Sequence, residues 1–154
     1  MIVRADSVPP SPFELVLPFR PISLQGGGRS KYQDRLADEA RLRFGKRELL
    51  QGKLYVRVIY FHRVMRKKAD VDNIIKPILD ALKGVVYVDD SAIRQCYAES
   101  IYIPDGFTLG QSNKASPVFD ELLRFFGDER MDHFMYLEVG MAPEQSFSYG
   151  RMGE

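Results

Sequence analysis

Two short acidic segments hold the residues whose types and spacing suggest chemistry. Asp70-Val71-Asp72-Asn73-Ile74-Ile75-Lys76 places two carboxylates one residue apart, with an ammonium group following. Tyr87-Val88-Asp89-Asp90 supplies two more carboxylates. In extended backbone Asp70 and Asp72 project to the same side, because side chains alternate along a strand. A group of carboxylates with no Cys near it favours a hard, oxygen-preferring cation. Mg²⁺ takes one or two carboxylates and fills its remaining positions with water and substrate phosphate oxygens; Mn²⁺ is the natural substitute. His62 is a weaker ligand candidate. Carboxylates crowded together repel one another, so such a cluster calls for a cation to stay ionised. Taken singly, each residue also has an ordinary role. Asp72 can cap a helix, Asp80 can pair with Lys76 at i, i+4, and Asp89-Asp90-Ser91 can form a turn.

A basic run, His62-Arg63-Val64-Met65-Arg66-Lys67-Lys68, immediately precedes the first acidic pair. Arg63, Arg66, Lys67 and Lys68 are therefore the candidates for gripping a nucleic-acid backbone, since phosphate contacts supply most non-specific affinity. A solvated charge run is the ordinary alternative. The net charge of the chain is only +1, so any argument for nucleic acid rests on this local clustering.

Periodicity assigns the elements that must position these groups. Phe13 to Leu17 reads as a strand that Pro18 ends. Ser30 and Gln33 form a capping-box pair, and Tyr32, Leu36, Ala40 and Phe44 make an apolar helical stripe that Gly45 stops. Leu54 to Phe61 alternates as a strand. Ile75, Ile78, Leu79 and Leu82 then follow helical spacing up to Gly84, with Lys76, Asp80 and Lys83 facing outward. Pro77 removes a backbone donor and disfavours helical geometry at Lys76, which argues for a helix starting later than Asp72. Ile93 to Ile103 reads as a long strand, Val118 to Phe126 as an amphipathic helix with Ser116 as cap, and Phe134 to Val139 as the last strand. The order predicts an α/β (α+β) fold, a small mixed sheet with two or three helices. Residues 1–12 read as a flexible arm and 13–140 as one domain with an insertion at about 104–133, leaving 141–154 as a disordered tail. The Gly-rich loop Gln25 to Arg29 lacks the ending of a phosphate-binding loop and reads as a flexible connection.

At 154 residues and 45% hydrophobic, the chain can bury a core of its own. The single Cys excludes an internal disulfide framework, and Cys96 in an alternating stretch reads as a small core residue. No signal peptide and no apolar run long enough to span a membrane is visible, so a cytoplasmic protein is expected.

The joint pattern Asp-x-Asp-Asn-x-x-Lys, then Leu-Asp-Ala-Leu, then Gly-Val-x-Tyr-x-Asp-Asp-Ser and Ile resembles the signature of the RusA family of Holliday junction resolvases. It covers Asp70 to Ile93 closely and residues 13–103 more loosely. The resemblance implies that Asp70, Asp72 and Asp90 are catalytic, that Asp89 belongs to the same metal-binding site, and that Lys76 contributes to catalysis. It also implies a homodimer acting on branched DNA, introducing paired nicks into a four-way junction and leaving 5′-phosphate and 3′-hydroxyl ends. The helix Val118 to Phe126 and the strand Ile93 to Ile103 both have apolar residues to offer either a dimer interface or the protein's own core. Two features depart from the pattern: the long excursion from Pro104 to His133, and Lys83-Gly84 in place of a common Asn-Gly. Two other classes fit the residues: a noncatalytic DNA-binding or assembly protein on the same fold, and a small metal-dependent nucleotide phosphohydrolase.

Overall fold

A computed structural model describes residues 11–22, 28–65, 70–110, 116 and 118–150. Four strands form one mixed sheet in the order β1-β4-β2-β3, where β1 is Phe13–Leu17, β2 Leu54–His62, β3 Ile93–Tyr102 and β4 His133–Met141. β4 lies antiparallel between β1 and β2, while β3 runs parallel to β2 at the far edge. A parallel neighbour demands a crossover. That crossover, residues 63–92, carries all the candidate site aspartates.

The alternation in β2 builds a core on each face. Leu54, Val56, Val58 and Tyr60 join Leu15, Leu17, Met135, Leu137 and Val139 under two helices, α1 (Arg29–Phe44) and α2 (Ile75–Leu82). The expected stripe of Tyr32, Leu36, Ala40 and Phe44 is the buried face of α1. On the opposite face, Val16, Ile59, Phe61, Phe134 and Tyr136 pack under α3 (Phe119–Gly127), which lies within the expected 104–133 excursion. The half-buried Phe125-Phe126 pair packs on this core, with both rings meeting Phe134 edge-on. The sheet is thus sandwiched by helices, as the α/β expectation required.

Several local expectations are corrected. Gly28, in left-handed geometry at φ 77°, occupies the cap position of α1, and Ser30 makes no capping bond. Gln33 instead donates from Nε2 to the Pro77 carbonyl at 3.1 Å, tying α1 to α2. Asp72 does not cap α2; it lies in a separate 3-10 turn, Val71–Asn73, and the α-helix begins at Ile75. Pro77 therefore falls in the first helical turn, where its missing N–H would have had no partner in the helix anyway. Cys96 is exposed, not core. Its strand forms the sheet edge, and the helices do not cover that part of β3. Residues 25–27 of the expected connection Gln25 to Arg29, residues 1–10 of the expected arm 1–12 and the last four residues lie outside the described residues, while Gly28 and Arg29 begin α1.

Candidate active site

The 3-10 turn Val71–Asn73 rests beside β3. Asp70 stands before the turn in extended geometry, and its carbonyl accepts the Asn73 N–H at 3.0 Å. The carboxylates of Asp70 and Asp72 are exposed, with no hydrogen bond or ion pair among the described residues. Ile74 follows the turn fully buried and pins it to the core. α2 then carries Lys76 and Asp80 on its outer face while Ile78, Leu79 and Leu82 are buried. Gly84, at φ 76°, reverses the chain so that its N–H donates to the Tyr87 carbonyl at 2.7 Å. A side chain is strained at that φ, which is the physical reason for a glycine after the helix. The run Val85 to Tyr87 is buried, and the Tyr87 hydroxyl donates to the Leu79 carbonyl at 2.6 Å. This closes the helix back against its own exit, and so brings Asp89 and Asp90 alongside α2.

The result is a line of ion pairs. Lys76 Nζ lies 2.7 Å from Asp80 Oδ1 and 3.1 Å from Asp90 Oδ2. Lys83 Nζ lies 3.0 Å from Asp89 Oδ1. Arg29, from the first turn of α1, reaches the other oxygen of Asp80 at 2.8 Å. The Asp89 carboxyl is held well below the ordinary carboxylate range, first by the Ser91 hydroxyl and then by the Lys83 ammonium. Lys76 is raised above the usual lysine value, most by its hydrogen bond to Asp80 and next by that to Asp90. The acidic groups are thus compensated in part by the protein's own cations, where the sequence suggested that an added ion was needed.

The site has the donor chemistry of a hard cation. Every candidate is a carboxylate, and two of them, Asp89 and Asp90, already hold an ammonium group where a cation would sit. Among the described residues no three His, Cys, Asp or Glu side chains lie close enough to form a closed metal cluster. Lys76 joins Asp90 in one ion pair and Asp89 pairs with Lys83, while Asp72 lies in the separate turn Val71–Asn73 against β3, with Asp70 just before it.

The other expected residues sit elsewhere. His62 is buried, with Nδ1 3.0 Å from the Val64 carbonyl and Nε2 3.0 Å from Ser100 Oγ, so both ring nitrogens already have partners. Arg63 faces inward instead of presenting its guanidinium to a phosphate. It donates to the carbonyls of Phe125, Phe126 and Met131 at 3.2, 2.7 and 3.1 Å. Those oxygens end α3 and the turn behind it, where a cation complements the helix dipole. Arg66, Lys67 and Lys68 lie outside the described residues. The sequence placed Arg29 at the end of a flexible connection, whereas it opens α1, and Asp80 read as no more than a helix-surface partner. No local signal marks an ion pair between residues 51 positions apart.

No curated protein matches the chain. The family model described as endodeoxyribonuclease RusA matches residues 28–106, a span that runs from the start of α1 past the end of β3. That span includes every carboxylate and ammonium group of the ion-pair line. With just over half of its length matched, the chain belongs to the RusA endodeoxyribonuclease family.

Proposed function

We propose that this chain is a metal-dependent, structure-specific endonuclease that resolves four-way (Holliday) DNA junctions by paired phosphodiester hydrolysis. The observation that carries this reading is the pairing of Lys76 with Asp90, which sets an ammonium group between the half-buried carboxylates of Asp80 and Asp90 inside the matched span. Asp70, Asp72 and Asp90, with Asp89, would hold Mg²⁺ or Mn²⁺. When bound, the ion would polarise the phosphoryl group and lower the pKa of the attacking water. Lys76 stabilises the negative charge that builds on the phosphoryl oxygens, or orients the attacking water. Asp70 and Asp72 stand exposed at a turn, where a duplex backbone can approach them without any rearrangement of the core.

Arg66, Lys67 and Lys68, directly before Asp70, grip the backbone beside the scissile phosphate. Two cuts in opposed strands need two sites, and each chain carries one such constellation, so the working form is a homodimer with two-fold symmetry. A lone exposed Cys96 with no disulfide partner suits a reducing cytoplasm. Among the described residues no helix is long and apolar enough to cross a membrane.

The test is a labelled synthetic four-way junction beside a matched linear duplex, each incubated with the protein in Mg²⁺ or in chelator. Symmetric, metal-dependent nicks in the junction alone are expected. Junction binding without nicks would leave the noncatalytic reading, and hydrolysis of free nucleotides alone would leave the phosphohydrolase reading.

A further inference from the structure

We propose that Asp80, itself held by Arg29, is the positioning residue that sets Lys76 against Asp90. This rests on the reading of Lys76 as the group that meets the reacting phosphate. An aspartate four residues after a lysine on an exposed helix face is ordinarily a surface pair of small consequence. Three observations separate Asp80 from that case. Both of its oxygens are engaged, Oδ1 by Lys76 at 2.7 Å and Oδ2 by Arg29 at 2.8 Å. The second partner comes from another helix, and Gln33 of that helix also binds the Pro77 carbonyl one residue beyond Lys76. The ammonium group so held has its second contact on Asp90, at the head of β3 and outside α2 altogether.

The chemistry needs such a device. A lysine ammonium is a compact, strongly hydrated charge on a flexible four-carbon stem, and the side chain of Lys76 is 52% exposed. Without a fixed partner it would sample many positions, and the few that meet a phosphate would be rarely occupied. With Asp90 as its sole partner it would settle on that carboxylate and neutralise it. Asp80 solves both problems, because it shares the ammonium at the shorter distance and leaves Asp90 the weaker hold. Two of the three N–H donors are then fixed by protein, and the third remains for substrate. Arg29 keeps the Asp80 carboxylate from turning away, and Gly28 in left-handed geometry starts the helix turn that presents Arg29.

The experiment uses the full chain. Asp80→Asn keeps the shape of the side chain and removes its charge; Asp80→Glu keeps the charge. In single-turnover junction cleavage, Asp80→Asn is expected to lower the rate about ten- to a hundredfold, the scale of a small misplacement of a reacting group. Junction affinity and Tm should stay near wild type, and Asp80→Glu should recover much of the rate. Arg29→Ala should lose less, and adding it to Asp80→Asn should cost nothing further. A second readout needs neither metal nor DNA: the ¹⁵N resonance of the Lys76 ammonium, assigned by its loss in Lys76→Gln, should move in Asp80→Asn and return in Asp80→Glu. An unmoved resonance, or a cleavage rate within twofold of wild type, overturns the positioning role. A wild-type protein that cuts no junction sinks the nuclease reading instead, and the resonance still reports separately whether Asp80 holds Lys76.

Discussion

Lys76 and Asp90 are 14 residues apart in sequence, yet Nζ stands 3.1 Å from Oδ2. The pairing exists because α2 is only eight residues long and the Gly84 reversal folds the chain back along it. Asp89 and Asp90, at the far end of the crossover, are thereby brought against Lys83 and Lys76. That relationship makes the role of the carboxylates testable one at a time.

Asp70→Asn and Asp90→Asn should each lower junction cleavage in Mg²⁺ by about a hundredfold or more, as loss of a charged ligand removes Lewis-acid assistance worth several kcal/mol. Junction affinity should hardly change, because the basic residues Arg66, Lys67 and Lys68 are untouched. Gel-shift titration beside the cleavage assay separates the two effects. Near-wild-type nicking by either variant would show that these carboxylates do not hold the ion.

Charge reversal at Arg66, Lys67 and Lys68 should weaken junction binding and flatten its dependence on salt, by about 0.9 in the log-log slope for each phosphate no longer neutralised. Arg63→Ala should behave differently. It strips the donor from two carbonyls at the end of α3 and one in the turn behind it, so it should lower stability by about 1–3 kcal/mol while leaving the salt slope alone. Affinity against salt together with denaturant melts distinguishes the two. A salt slope that falls in Arg63→Ala without loss of stability would return this residue to the DNA surface.

His133 should make folding stability depend on pH. Its Nδ1 meets the Tyr60 hydroxyl, and its pKa is lowered by burial first, then by the charge of Arg20, with Asp132 opposing and His62 adding to the effect. A neutral ring carrying its proton on Nε2 accepts the Tyr60 hydroxyl at Nδ1, whereas a protonated ring can only donate there. Because the folded pKa lies below the ordinary value of 6.5, the unfolded chain binds more protons between the two values. Stability should therefore fall as pH drops below about 6.5 and level off once the folded ring has also protonated. Denaturant midpoints from pH 8 to 5 check this, with His133→Asn expected to remove that part of the slope. Equal slopes in the two proteins would place the pH dependence on other groups.

Sedimentation equilibrium over a concentration series should return roughly twice the 17.7 kDa chain mass, as a closed two-fold assembly requires. A strict monomer, both free and on a junction, would remove the paired-nick mechanism and leave a nuclease that makes single cuts.

Much of this protein was determined by patterns that need no tertiary partner. A period of two in Leu54 to Phe61 and a period near 3.6 in Tyr32 to Phe44 declare a strand and a helix, since burial of one face requires them. Gly45 and Gly84 end helices because positive φ suits a residue without a side chain. The carboxylates and Lys76 were legible as a constellation because residue type and spacing along the chain carry that information. Tertiary structure alone decided which of them touch. The local pattern of β3 is the same whether it lies inside a sheet or at its edge, so nothing in the alternation around Cys96 signals its exposure. The capping pair Ser30 and Gln33 yielded to a left-handed Gly28, because the Pro77 carbonyl on α2 offered Gln33 a partner that no local pattern can reveal. Arg63 stands in a basic run, but the carbonyls that accept from it belong to α3, some sixty residues on. Asp80 becomes more than a helix-surface charge only when α1 brings Arg29 against it. Local propensities are written residue by residue, whereas an ion pair between distant residues exists only once the chain has closed the loop between them.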